Sequence, residues 1–191
     1  MGNNFSFIFL GLTHGFLNDF RKEEEVIKKT NPSVVLSEEM EDRILASEED
    51  YKNFLDKKKY SLMTDFKRMK PLVSLCQKRK ISLIGIDFKN FGFKKELITK
   101  MNHHKNLTKK EEKEIKRMVQ KRESYHIKKI LESSKIYKKP ILVFLGAWHL
   151  RKEGLIVSQI KNSRIIFPAD KRGELVVEPT GEKIVYMEKN I

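Results

Sequence analysis

The sequence predicts an α/β fold: a mostly parallel central sheet covered by helices, built from two related halves and closed by a C-terminal β-hairpin. Three observations carry this. Short apolar runs recur at 5–10 (FSFIFL), 34–36 (VVL), 81–86 (ISLIGI) and 141–145 (ILVFL). Runs of this length, rich in branched and aromatic side chains, fit strands buried on both faces, the pattern of a parallel sheet under helices. The segments between them carry apolar residues at helical spacing. Finally, the first and last runs each lead into the same device, Gly11-Leu-Thr-His14 and Gly146-Ala-Trp-His149. Its repetition hints at a duplication. Glycine permits a tight turn or a close backbone approach, and the histidine is then the first side chain able to enter a cleft. In open α/β sheets, ligands bind at the carboxyl ends of the strands.

In chain order, residues 16–29 read as a helix with Phe16, Phe20 and Ile27 on one side. Asn31-Pro32-Ser33 is a turn before the second strand, which ends at Glu38-Glu39. Residues 40–60 read as one or two mostly polar helices. From 61, Leu62, Phe66, Met69, Val73 and Cys76 recur at helical spacing, and Pro71 predicts a kink or two short helices. The third strand ends on Asp87. A glycine-containing loop at 89–93, suited to a lid, leads to a short helix at 94–101. Thr108-Lys-Lys-Glu111 is a capping box that opens a helix to about 134. The buried stripe of that helix runs through Ile115, Met118 or Val119, Arg122, His126 and Ile130. An arginine in such a stripe needs a partner inside the protein. Pro140 ends the helical segment of about 94–139 between the third and fourth core strands. A helix at 150–161, a strand at 164–167 and a hairpin of 174–177 with 183–187 complete the chain.

With 191 residues the expectation is one domain with a substantial core. The single cysteine, Cys76, excludes an internal disulfide framework and a cysteine-based zinc site, and its apolar stripe makes it a packed thiol. No segment is long enough to span a bilayer. The first apolar run lacks the basic flank and cleavage site of a signal peptide, so a cytoplasmic protein is expected. Net charge is +14, with an acidic start and a basic middle. Such a balance fits nucleic acid or an anionic surface. Lysine outnumbers arginine, however, and glutamates are interleaved without a nucleic-acid motif, which favours a solvated face.

The residues that close the four core strands are His14, Glu38 or Glu39, Asp87 and His149. A parallel sheet brings all four to one edge. Two histidines and a carboxylate with open positions form a catalytic divalent-metal pattern. A metal there would make water acidic enough to attack a carbonyl, and the remaining carboxylate would orient a histidine or act as a base. Plainer readings stand beside these. Asp87 fits a turn cap, Glu39 and Arg43 fit a surface pair, and His126 fits a satisfied core histidine. Trp148 fits a cleft wall or core, and His103-His104 a solvated loop.

This ordered set resembles the TraB/TIKI-like families, related to the erythromycin esterase and ChaN-like fold. The matching segments are FIFLGLTH, VVLSEEMEDR, ISLIGID, KRESYHIKKIL and ILVFLGAWH. The resemblance implies an α/β core of two related halves and a manganese- or cobalt-dependent peptidase rather than a zinc enzyme. It places His14, His149 and Glu38 at the metal and Arg122 among the catalytic groups, with Gly11, Arg43, Asp87 and Gly146 in support. The expected substrate is a peptide or another small molecule. Two departures stand out: Gly15 follows His14 where the family has a small hydroxyl residue, and after His149 a glycine comes only at Gly154. Some family members regulate peptide signals, so a non-catalytic peptide-binding regulator is the second expectation. A basic nucleic-acid-associated protein is the third.

Overall fold

The computed structural model describes residues 5–13, 17–57, 66–103, 105–170, 172–175 and 185–190. Its apolar runs form one sheet. In chain order the strands are β1 (Phe7–Leu12), β2 (Val34–Glu41), β3 (Arg43–Leu45), β4 (Ser82–Asp87), β5 (Ile141–Gly146), β6 (Ser163–Pro168) and β7 (Tyr186–Asn190). The spatial order is β3-β4-β2-β5-β1-β6-β7. The five inner strands pair in parallel, while β3 and β7 close the edges antiparallel. The fold is therefore α/β with a mostly parallel sheet, and β6 and β7 make the C-terminal hairpin. Within the arm expected at 174–177, Leu175 bridges Ala169, and residues 176–177 and 183–184 lie outside the described residues.

Alternation along each strand sends side chains to two apolar layers. Ile8, Leu10, Val35, Leu83, Leu142 and Phe144 face α1 (Leu17–Thr30), α2 (Glu48–Leu55) and α3 (Phe66–Arg79). Phe9, Leu36, Ile84, Val143 and Leu145 face the opposite layer. That layer is closed by α5 (Lys109–Ile136) and α6 (Leu155–Gln159). The capping box of α5 is present, with the Thr108 hydroxyl accepting from Glu111 N and the Glu111 carboxylate accepting from Thr108 N. A smaller cluster ties α4 (Lys95–Asn102) to the first half of α5 through Leu97, Ile98, Ile115 and Met118. Cys76 is packed, and burial pushes its thiol up to about 12. No helix of the described residues is long and apolar enough to cross a membrane.

Three expectations are corrected. Residues 40–45 are not helical: β2 continues to Glu41, and β3 pairs with β4 at the sheet edge. Among the described residues of this stretch, Glu48–Leu55 is the helix, started by the Ser47 cap. Pairing to an available edge outweighs the helix preference of this acidic stretch. Of the two outcomes expected at Pro71, the division into two short helices does not occur, since Pro71 lies within one helix, α3. At 150–161, a 3-10 turn, Ala147–Leu150, comes first and α6 is only five residues long.

A bulge in β2 places the site. Ser37 pairs with Gly85 and Glu41 with Asp87, so four steps on β2 match two on β4. The extra backbone folds over Gly85, where an added Cβ would lie 2.0 Å from the Glu41 carbonyl oxygen. Glycine is required at that crossing.

Candidate metal centre

Four elements meet at the carboxyl edge on the α5 side of the sheet. The bulge of β2 supplies Glu38, and β4 ends in Asp87. β5 leads into the 3-10 turn that carries His149. α5 supplies Arg122, Glu123 and His126, which its helical phase turns inward together. Gly11 lets the end of β1 pack against this turn, since a Cβ there would come within 3.1 Å of the Ala147 Cα. Gly146 has ordinary backbone angles (φ −55, ψ 133), so no special conformation is asked of it.

One potential ligand atom from each of Glu38, His126 and His149 lies within 4.8 Å of the others. All three residues are buried. Glu38 Oε2 is 3.5 Å from His149 Nε2, and the two imidazole rings meet edge to face with centroids 5.4 Å apart. The other nitrogen of His149, Nδ1, lies 3.1 Å from Glu123 Oε1. A carboxylate accepts, so Nδ1 donates to Glu123, and Nε2 is the nitrogen that faces Glu38. Arg151 Nη1 donates to the same Glu123 oxygen at 2.7 Å. His126 Nε2 stands 3.2 Å from Asp87 Oδ2, off the line of a well-formed hydrogen bond, and Nδ1 has no hydrogen-bond partner among the described residues. Asp87 is gripped by Arg122, whose Nε and Nη2 donate to Oδ2 at 2.9 and 2.5 Å.

The charges reinforce one another. Burial works to raise the Glu123 carboxyl, but hydrogen bonds from His149 and Arg151 outweigh it and hold the group down to about 2. Burial also opposes the Asp87 charge, and His126 and Arg122 together bring that carboxyl below its ordinary range. For Arg122, Asp87 overcomes burial and raises the guanidinium, with smaller contributions from Glu38 and Glu123. In formal charge, three carboxylates here face two guanidiniums, a surplus that favours a cation. Two imidazoles and a carboxylate are a donor set that manganese, iron, cobalt and zinc accept. A fully buried imidazole nitrogen with no hydrogen bond is what a ligand position looks like before the ion is considered. The Glu38–His126–His149 group can therefore hold a metal ion.

Glu38, Asp87, Arg122 and His149 are brought together, while His14 lies outside the described residues. Arg122 grips Asp87, so its role here is to neutralise a carboxylate. Glu39 turns to Arg68, 3.1 Å away. Arg43 begins the edge strand opposite Gly85, with its guanidinium 5.7 Å from the Phe54 ring centroid, in the layer away from α5. Trp148 is 54% exposed, so it is rim and not core. His103 is exposed, as expected, and His104 lies outside the described residues. Sequence reasoning missed Glu123 and Arg151 and read His126 as satisfied core. Glu123 directly follows the inward-facing Arg122, and this neighbouring position in α5 was the available signal.

No protein-family model matches this chain, and no match to it is found among curated proteins or solved structures.

Proposed function

We propose that this protein is a metal-dependent hydrolase of peptide or amide bonds, with a divalent cation held by Glu38, His126 and His149. The observation that carries the reading is the meeting of those three buried donors at one strand edge. The arrangement behind them supports it: each imidazole has a carboxylate at its back, Glu123 for His149 and Asp87 for His126. Such partners orient metal-binding histidines and raise their basicity. Manganese or cobalt in preference to zinc, and the peptide substrate, come from the TraB/TIKI resemblance, which also adds His14 as a further ligand.

A bound divalent ion would supply Lewis acidity, polarising a carbonyl and making water nucleophilic near neutral pH. The protein's own residues prepare that chemistry. Glu123 holds the Nδ1 proton of His149 and keeps Nε2 available. Arg122 holds Asp87 ionised and in place beside His126. The 3-10 turn buries His149 while leaving Trp148 at the surface, where a substrate chain can lie against it.

The test is metal titration by calorimetry with manganese, cobalt and zinc, alongside turnover of a mixed peptide library. The wild-type chain is expected to bind one ion per molecule. Glu38→Gln, His126→Ala and His149→Ala should each lose that ion and all turnover while keeping the wild-type circular dichroism. Absence of metal binding in the wild type, or binding indifferent to these changes, overturns the reading. Tight binding of a peptide without turnover would favour the regulator instead.

A further inference from the structure

Beside the metal centre lies a cavity of about 260 Å³ that the proposed chemistry does not use. Its floor is apolar: Val157 of α6, Ile165 and Phe167 of β6, and Leu175. Its rim is cationic, formed by Arg151, Lys152 and Lys189, and none of the described lining residues is acidic. Lys189 Nζ stands 5.3 Å from the Phe167 ring centroid, above the floor. Among the described residues, no carboxylate stands within ion-pair distance of Lys152 or Lys189. Cations left unmatched over an apolar floor complement a ligand that is apolar at one end and anionic at the other.

The geometry points to a binding site for the C-terminal residue of a peptide, with a leucine-sized side chain on the floor and the free carboxylate between Lys152 and Lys189. Size argues for a single residue. At about 260 Å³ the cavity lies below the roughly 300–1,000 Å³ of pockets for drug-sized ligands, which suits one such residue and its carboxylate. Arg151 connects this site to the metal centre, since it lines the cavity and also donates to Glu123, the partner of His149. The inference goes beyond the hydrolase reading and does not rest on it, because nothing in the pocket requires a metal.

The experiment is calorimetry or chemical-shift titration of the full chain in chelator, with N-acetyl-leucine, N-acetyl-leucinamide and decanoate as probes. N-acetyl-leucine should bind at least tenfold more tightly than the neutral amide, and added salt should weaken it. The double variant Lys152→Gln/Lys189→Gln, two surface changes, should lose at least fivefold in affinity for N-acetyl-leucine and nothing for the amide. Val157→Trp should block both probes, with folding checked by circular dichroism. Equal affinity for acid and amide, binding unaffected by the lysine variant, or no binding by the wild type overturns the proposal. Decanoate binding tenfold tighter than N-acetyl-leucine also overturns it, in favour of an acyl-chain ligand. Since the metal is absent throughout, these outcomes are separate from success or failure of the hydrolase test.

Discussion

The two imidazoles of the centre are supported by the same three-part unit, built differently. His126 is backed by Asp87, which Arg122 grips. His149 is backed by Glu123, which Arg151 grips. Helix α5 takes part in both, giving the ring and the cation to one and the carboxylate to the other. The difference lies in the arginines. The Arg122 side chain is 10% exposed and uses two nitrogens on Asp87, whereas that of Arg151 is 26% exposed, uses one nitrogen on Glu123 and also lines a cavity. The first unit is a dry clamp between β4 and α5. The second reaches the surface, where a ligand can meet its arginine. The candidate centre thus has one arm that fixes structure and one open to adjustment.

The largest expected effect separates the arms by stability. Arg122→Leu leaves the Asp87 charge buried without its main partner, a change that costs about 3–5 kcal/mol. Arg151→Leu should cost less than half of that, because water can reach the remaining carboxylate. Urea unfolding of the two variants compares them directly. Equal losses would break the distinction between dry and open arms. Replacing the pair, Asp87→Leu with Arg122→Leu, should recover part of the stability of the single change, since a well-packed apolar pair can stand in for a buried ion pair.

Next in size is metal affinity. Glu123→Gln keeps the shape but gives up the charge that His149 Nδ1 faces, and Asp87→Asn does the same behind His126. Loss of such partners typically weakens metal binding about 10–100-fold. The Glu123 variant should show the greater loss in affinity, since its contact is a formed hydrogen bond whereas that of Asp87 with His126 is misaligned. Asp87→Asn should show the greater loss in stability. Metal titration and urea unfolding on the same preparations would reveal a reversed order.

Acid should act on both arms in the same direction. Glu123 and Asp87 each have a carboxyl pKa lowered by folding, so their stabilisation is complete above the unfolded values and is lost as pH falls through the folded ones. For Glu123 the window runs from its ordinary value of 4.5 down to about 2. Unfolding free energy should therefore fall with pH across that range, and Glu123→Gln should flatten the slope. A variant with the wild-type slope would mean that Glu123 is not ionised against His149 and Arg151 in the folded protein.

Much of this was legible in the sequence because strand ends are. An unbroken apolar run fixes where a strand stops, and in a parallel sheet every stop lies on one edge, so Glu38, Asp87 and His149 could be placed together without knowing strand order. His126 and Glu123 were legible only in part. Helical phase turned 122 and 126 inward, but what they meet depends on how α5 lies across the sheet, which is set by tertiary packing. A polar Glu123 next to a basic run reads as solvated until that packing is known. The bulge that delivers Glu38 left a single trace, Gly85 inside an otherwise branched strand. Edge strand β3 left none, because its acidic flanks favour helix locally and only pairing with β4 makes it a strand.

The smallest expected effect concerns Arg43, which the family resemblance sets among the supporting residues of the centre. Here β3 places it opposite Gly85 with its guanidinium over Phe54, on the layer packed by α2 and α3. A cation over an aromatic ring at an exposed position contributes about 0.5–1 kcal/mol. Arg43→Ala should therefore cost no more than that in urea unfolding and leave metal affinity at the wild-type level. It belongs to neither arm, and so it gives the baseline against which Arg122 and Arg151 are read. A tenfold fall in metal affinity in this variant would mean that a third cation acts on the centre from the opposite layer, through the β2 bulge that crosses Gly85.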